Sequence, residues 1–323
     1  MRFGIIGTNF VTDWFIKNGK KTEGFSVEAV YSRTMEHARE YGAACGARLF
    51  FDKLEDLAAC DTVDAVYIAS PHICHRPQAE LMLRSGKHVI VEKPAAPNAA
   101  DEAEMAALAR EKGLVIMEAM RPAHNPALAA IKENIHKIGD LHRANICFDQ
   151  YSSRYDRFKA GEHMNAFDPL LGNMAMLDVG VYPIYLMGAL FGRPDDLGAR
   201  FITLDNGFEA AGDISMYYRS RKMLANVQYS KLNNSKNRIE LQGERGSMLI
   251  DDVISLEEVV IEYDTGEREI VYPATVGREG DMVYEINDFN AMVAGKLGWQ
   301  SFFDEAILTA ELMEEARRYI TKV

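Results

Sequence analysis

Three side chains of this sequence are suited to moving a proton: Lys93, Asp178 and Tyr182. Lys93 follows the apolar run His88–Val91 and Glu92 and precedes a proline. An ammonium at the end of a buried strand can polarise a substrate oxygen or share its proton, because desolvation makes a lysine a usable acid or base near neutral pH. The alternative is a structural ion pair between Lys93 and the adjacent Glu92.

Asp178 and Tyr182 are four residues apart in a segment with helical character, so we expect them on one helix face. A phenol is a poor base by itself, but a neighbouring ammonium favours its ionised form. Lys93 and Tyr182 together therefore suit the transfer of a hydroxyl proton, with Asp178 orienting the substrate or balancing the lysine charge. In the alternative, Tyr182 is a half-buried side chain whose hydroxyl binds the backbone.

A glycine turn follows the first apolar run of the chain. Gly7 is followed by Thr8, Asn9, Phe10 and Val11 at the start of a helical segment, where free N–H groups can hold a pyrophosphate. The dinucleotide pattern G-x-G-x-x-G/A has Asn9 and Thr12 at its second and third positions. We expect the turn to survive, because asparagine tolerates positive φ. A plain strand-to-helix turn is the alternative.

The second predicted strand ends at Ser32 and Arg33, where an NAD site usually carries an acidic residue for the ribose. A hydroxyl and a guanidinium suit a 2′-phosphate better. We therefore expect NADP, with NAD possible, unless Arg33 is simply solvated.

The first 120 residues alternate short apolar runs with helical stretches. This pattern predicts a doubly wound parallel sheet covered on both faces, a Rossmann-type α/β domain over residues 1–120. The predicted strands are Phe3–Ile6, Ser26–Tyr31, Ala65–Ala69, His88–Val91 and Leu114–Met117.

After about Gly139 the pattern becomes strand after strand, which predicts a large, mostly antiparallel open sheet in an α+β domain over residues 121–323. The last helices either stay with this domain or pack back on the first. The predicted strands are Leu141–Phe148, Ala199–Leu204, Asp213–Tyr218, Met223–Gln228, Arg238–Leu241, Met248–Ile250, Glu257–Tyr263 and Arg268–Tyr272. The predicted helices are one near Met174–Phe191, then Met282–Val293 and Glu305–Tyr319.

Charge and composition argue against several kinds of partner. A net charge of −12 is unsuited to nucleic acid, and no apolar run is long enough for a membrane span. The four cysteines are scattered, which favours free thiols and no metal site. With no signal peptide recognised at the N-terminus, we expect a cytoplasmic protein.

Several motifs in order resemble the Gfo/Idh/MocA oxidoreductase family. They are Asp64–Pro94, which ends in Glu-Lys-Pro, then Glu118–Arg121, Leu177–Pro183 and the turn and strand Gly243–Ile250. The resemblance covers essentially the whole chain. It departs from the family pattern at Asn9. At position 182 sugar-type members carry histidine, and the tyrosine of this chain is similar to the dihydrodiol and aldose–aldose branches instead.

The resemblance implies hydride transfer between nicotinamide and a hydroxyl or carbonyl carbon of a sugar, polyol or trans-dihydrodiol. It places Lys93 at the centre of the chemistry and adds a second set of residues beside the cofactor: Ser70, Pro71, His72, His75, Glu92 and Arg121. A non-catalytic dinucleotide-binding regulator is the main alternative. A glycosidase acting through transient oxidation is a third.

An open antiparallel sheet leaves one face for a partner subunit. We expect a homodimer or a dimer of dimers packed through that face, with Ile214, Met216, Leu224 and Val227 on it.

Overall fold

The computed structural model describes residues 1–274 and 276–320. The chain divides into two compact units. The first unit contains Met1–Arg121 and Arg278–Ile307, and the second contains Pro122–Gly277 and Leu308–Val323.

The first unit is built on a six-stranded parallel sheet with the strand order β3-β2-β1-β4-β5-β6. This order confirms the predicted doubly wound sheet. Its strands are β1 (Arg2–Ile6), β2 (Ser26–Tyr31), β3 (Leu49–Phe51), β4 (Ala65–Ile68), β5 (His88–Glu92) and β6 (Ile116–Ala119). Its helices are α1 (Phe10–Gly19), α2 (Met35–Cys45), α3 (Leu54–Ala58), α4 (His72–Arg84), α5 (Ala99–Lys112) and, from the later segment, α10 (Met282–Val293) and the first part of α11 (Gln300–Arg317).

Local sequence explains several of these boundaries. Helix α5 begins where the Asn98 side chain accepts the N–H of Asp101, and it ends at Gly113, which has a left-handed φ of 65°. All four residues of β4 are buried, as expected for a parallel strand covered on both faces. Helix α10 packs on the sheet through Phe289, whose ring centroid lies 5.9 Å from that of Phe3.

The second unit is built on an eight-stranded sheet with the order β14-β13-β12-β11-β7-β10-β9-β8. Its pairs are antiparallel except β7 with β10, which confirms the predicted mostly antiparallel sheet. The strands are β7 (Leu141–Asp149), β8 (Asp196–Thr203), β9 (Glu209–Tyr218), β10 (Met223–Ser230), β11 (Arg238–Gly243), β12 (Gly246–Asp251), β13 (Val259–Tyr263) and β14 (Arg268–Tyr272).

One helical segment of the second unit is irregular. Residues Met176–Gly180 form a π-helical turn that leads directly into α9 (Val181–Phe191). Such turns are rare and often occur at functional sites. The other α-helices that begin in this unit or at its boundary are α6 (Arg121–His124), α7 (Pro126–Asn134) and α8 (Tyr155–Lys159).

The outer face of the second sheet differs from the sequence expectation. Ile214, Met216 and Val227 are buried, at 0–2% exposure, whereas Leu224 is 50% exposed. The reason is the two-residue period of a strand, since Leu224 and Val227 are three residues apart and must point to opposite faces. The apolar residues exposed on the three adjacent strands of the outer face are Ile202, Tyr217 and Leu224.

Among the described residues, no helix combines the length and apolarity needed to cross a membrane. The same part of the chain holds no group of three or more His, Cys, Asp or Glu arranged to bind a metal ion.

Candidate active site

The glycine turn after β1 lies against the end of β4. Gly7 has a φ of 98°, and a Cβ built on it would lie 2.3 Å from the carbonyl oxygen of Ala69 and 2.9 Å from the amide nitrogen of Ser70. Only glycine fits this close approach of two backbones. Strands β1 and β4 are also where the order of the sheet reverses, which is the place where open α/β sheets bind ligands.

Asn9 performs a different task from the expected one. Its φ is −110°, so Asn9 is extended, and the turn forms without the positive φ that asparagine would have tolerated. Its side-chain oxygen accepts the N–H groups of Val11 and Thr12, and its amide donates to the carbonyl oxygen of Ala69 at 2.8 Å. Asn9 therefore caps α1 and ties the turn to β4. Phe10, 60% exposed, begins the helix.

The end of β2 carries exposed polar groups. The Ser32 N–H donates to the carbonyl oxygen of Phe51, and the Arg33 side chain is exposed. Sequence reasoning missed His37, whose Nε2 lies 2.9 Å from the Thr8 hydroxyl and so joins α2 to the glycine turn. The only signal for it was its position four residues after Arg33. A dinucleotide fits this surface, because the Gly7 turn offers close backbone approach and Arg33 offers a cation.

The backbone after Lys93 is held by buried side chains of the first unit. His75 Nδ1 lies 2.9 Å from the carbonyl oxygen of Pro94. Glu118 on β6 accepts the N–H of Ala95 at 2.8 Å. His75 is fully buried and Glu118 nearly so. These contacts fix the main chain that follows Lys93.

A group of buried acids surrounds this turn. The Tyr67 hydroxyl donates to Glu92 at 2.6 Å, and burial raises the pKa of the Glu92 carboxyl. Burial also raises the pKa of Glu118 to about 7. Glu285 on α10 is fully buried, and its pKa lies well above the usual range, because burial is reinforced by the charge of Glu92 and only partly offset by Arg121. Burial therefore shifts all three of these carboxyls toward their neutral forms.

The turn after β4 is tied to the Lys93 turn. His75 Nε2 lies 2.8 Å from the carbonyl oxygen of Ser70, so the one imidazole bridges Ser70 and Pro94. The Ser70 hydroxyl donates to Gln78 at 2.7 Å. Pro71 is exposed and His72 is partly exposed, so this turn offers groups to a ligand while His75 supports it from inside.

Arg121 forms a buried ion pair with an aspartate of the same unit. Its Nε donates to Asp281 at 2.9 Å, with both side chains buried, and its guanidinium carbon lies 5.6 Å from the Trp14 ring centroid. Asp281 is the residue that precedes α10. The arginine therefore joins the end of β6 to the start of α10.

In the second unit, Asp178 lies in the π-helical turn and Tyr182 in the first turn of α9. Tyr182 is 7% exposed and packs edge-on against Phe148 of β7, with ring centroids 5.8 Å apart. Asp178 is partly exposed and accepts a hydrogen bond from Lys231 at 2.7 Å. Sequence reasoning missed Lys231, because nothing in its local pattern links it to residue 178.

Comparison with known proteins agrees with this geometry. The model of an oxidoreductase family with an NAD-binding Rossmann fold matches residues 1–120, and the model of the GFO/IDH/MocA C-terminal domain matches residues 129–249. The chain is thus an oxidoreductase with an NAD-binding Rossmann domain. It belongs to the Gfo/Idh/MocA family.

Two curated relatives match almost the whole chain. The scyllo-inositol 2-dehydrogenase (NADP(+)) IolU of Bacillus subtilis is 40% identical over 98% of this chain and 96% of its own length. The trans-1,2-dihydrobenzene-1,2-diol dehydrogenase of Mus musculus is 27% identical over 99% of this chain and 97% of its own. The fold is shared with the 3-ketoreductase KijD10 of Actinomadura kijaniata, at 23% identity, 98% and 97% coverage and a TM-score of 0.85.

Proposed function

We propose that this protein is an NADP-dependent dehydrogenase of a secondary alcohol in a polyol, with cyclic polyols as the first class to test. The observation that carries the proposal is the 40% identity, over 98% of the chain, with a relative named as an NADP-dependent scyllo-inositol 2-dehydrogenase. The exposed guanidinium of Arg33 beside Ser32 supports a preference for the 2′-phosphate. The cofactor-binding set proposed here is Gly7, Thr8, Asn9, Phe10, Val11, Ser32, Arg33, Ser70, Pro71, His72, His75, Glu92, Lys93 and Arg121.

We assign the proton transfer to Lys93 and Tyr182, with Asp178 orienting the substrate. The nicotinamide ring, when bound, supplies the hydride acceptor or donor. Lys93 Nζ holds the hydroxyl of the reacting carbon and polarises it as its proton leaves. In the oxidation direction the Tyr182 phenolate accepts that proton and becomes the phenol, and a nearby ammonium favours the phenolate that this requires. The support for this assignment is the fixed backbone at Lys93 and the buried position of Tyr182.

The direct test is NADPH formation by the purified protein against a panel of cyclic polyols, linear polyols, aldoses and a trans-dihydrodiol, each with NADP+ or NAD+. We expect a cyclic polyol with NADP+ to give the highest kcat/KM. Equal rates for all members, or no turnover of any, would contradict the proposal. Turnover of an aldose alone would move the substrate class from polyols to sugars.

We also propose a homodimer or dimer of dimers packed through the outer face of the second sheet. Leu224 and Tyr217 are cross-strand neighbours on this face, at 50% and 36% exposure, and Ile202 is 56% exposed on the next strand. Burying such neighbours removes apolar area from water. Leu224→Glu should lower the mass measured by light scattering, whereas Leu170→Glu, at a 90% exposed site outside the sheet, should not. A wild-type monomer at micromolar concentration would refute this.

A reducing, cytoplasmic compartment fits the cysteines. Cys45, Cys60, Cys74 and Cys147 are all free thiols and all partly buried. Thiol titration of the protein from its native cells, without reductant, should find all of them reduced. Disulfide-linked cysteine in that sample would contradict the assignment.

A further inference from the structure

The second unit contains a lysine whose side chain is almost fully buried. Lys231 follows the last residue of β10, and its Nζ donates to Asp178 Oδ2 at 2.7 Å. The Lys231 side chain is 8% exposed and that of Asp178 is 47% exposed. A buried ammonium is costly unless it is paired, so this contact differs in kind from the ion pairs on the surface.

Both the backbone and the ammonium of Lys231 are fixed. Its N–H donates to the carbonyl oxygen of Ala210 at 2.9 Å, and its carbonyl oxygen accepts the N–H of Ser152 at 3.0 Å. The Nζ atom lies 5.4 Å from the ring centroid of Phe167 and 5.9 Å from that of Phe208. Both rings are fully buried, so two aromatic faces and one carboxylate determine where the charge sits.

The turn that carries Asp178 is fastened at both of its ends. The Met176 N–H donates to the buried carboxyl of Glu209 at 2.9 Å. At the other end, a Cβ on Gly180 would lie 2.9–3.0 Å from the Tyr229 ring, so the ring packs directly on the glycine. Lys231 holds the side chain in the middle of the same turn.

We propose that Lys231 is a positioning residue that aims the Asp178 carboxylate at a substrate hydroxyl group. The inference rests on the proposed function, since it assumes that Asp178 receives a hydroxyl of a polyol. A carboxylate with one oxygen bound to a fixed ammonium has lost most of its freedom to rotate, so the substrate meets an acceptor that is already oriented. The ammonium also neutralises the carboxylate, which favours an uncharged, hydroxyl-bearing substrate over a cation.

The kinetic test uses Lys231→Met, Lys231→Arg and Lys137→Met, with scyllo-inositol and NADP+ as the probes. We expect Lys231→Met to raise KM by about tenfold or more and to change kcat less, because a hydrogen bond to a charged group is lost. Lys231→Arg keeps the cation and should recover most of the KM. Lys137 pairs with Glu269 near the surface, so its variant is a matched control and should stay within about twofold of wild type.

Two further measurements separate positioning from stability. The Kd for NADPH should be the same in all variants, because the glycine turn is in the first unit. The double variant Lys231→Met with Asp178→Asn should be no worse in KM than Asp178→Asn alone, because Lys231 acts through that carboxylate. If Lys231→Met does not fold, Lys231→Gln, which removes the charge but keeps a polar side chain, and its double variant with Asp178→Asn replace it in the same comparison.

The outcomes are distinguishable. A wild type that turns over polyols while both Lys231 variants keep its KM overturns this inference alone. Additive losses in the double variant also overturn it, because Lys231 would then act independently of Asp178. A wild type that turns over no polyol refutes the proposed function, and the inference falls with it.

Discussion

Replacing Gly7 with alanine should impair both folding and cofactor binding, for reasons that the backbone of the first unit makes explicit. Gly7 has a φ of 98°, and the added Cβ would lie 2.3 Å from the carbonyl oxygen of Ala69. The unfavourable φ and the close contact with Ala69 both involve backbone atoms, so no side chain can move aside to relieve them. The turn has to separate from the end of β4, which is where we place the cofactor.

The magnitude follows from two contributions. A positive φ costs an alanine about 1–2 kcal/mol relative to glycine. Relief of the contact requires a backbone shift, which adds about 1–3 kcal/mol as in other overpacked sites. Together they predict a loss of roughly 2–5 kcal/mol in the free energy of unfolding of the first unit. Displacement of the turn should also weaken NADPH binding about 10-fold to 100-fold, since a hydrogen bond to a charged phosphate is lost.

Gly46→Ala is the matched control in the same unit. Gly46 has a φ of 88°, but a Cβ there would meet nothing within 4 Å. Gly46→Ala should therefore lower the free energy of unfolding only by the conformational contribution of about 1–2 kcal/mol, and it should leave the cofactor Kd unchanged. Urea unfolding and fluorescence titration with NADPH measure the two quantities. If Gly7→Ala matches Gly46→Ala in both, the account of the glycine turn is refuted.

Three further predictions concern other parts of the molecule. Lys93→Met should preserve folding but lower turnover about 10²-fold or more, and Tyr182→Phe should lower turnover with little change in the cofactor Kd; near wild-type turnover in Lys93→Met would favour a non-catalytic regulator. Arg33→Ala should weaken NADPH binding about 10-fold to 100-fold and leave NADH binding unchanged, while equal wild-type affinities for the two cofactors would refute a 2′-phosphate contact. Burial raises the pKa of Glu209 from 4.5 to about 7, so its stabilising effect is complete below 4.5 and is lost as the pH rises to about 7. Glu209→Gln is uncharged at every pH, so between about pH 5 and about pH 8 the wild type should lose up to about 3 kcal/mol of unfolding free energy relative to this variant, and parallel pH profiles in calorimetry would contradict the sign.

The sequence pattern was sufficient for the architecture. Apolar runs separated by helical stretches predicted the parallel sheet, and eight consecutive strands with turn signals predicted the second sheet, because burial imposes these periods locally. The short strand β3 (Leu49–Phe51) and helix α3 (Leu54–Ala58) were missed, since three to five residues carry no detectable period. Helix α11 also begins at Gln300, five residues before its predicted start.

Long-range partners could not be read from the sequence. The contact of Lys231 with Asp178 joins residues 53 positions apart, and the link between Arg121 and Asp281 joins residues 160 apart. Tertiary packing alone brings such side chains together. Asn9 shows a different limit: its residue type was compatible with either a left-handed turn or a helix cap, and its extended φ selects the cap.

We propose that a hydride passes between the carbon of a polyol hydroxyl and the nicotinamide, and that Lys93 and Tyr182 transfer the hydroxyl proton. The most direct measurement is a reaction of the purified protein with NADP+ and a cyclic polyol that carries deuterium on its ring carbons, followed by mass spectrometry of the NADPH. We expect one deuterium in each NADPH formed by wild type, and far less product from Lys93→Met in the same time. NADPH without deuterium, or equal labelled product from the variant, would contradict it.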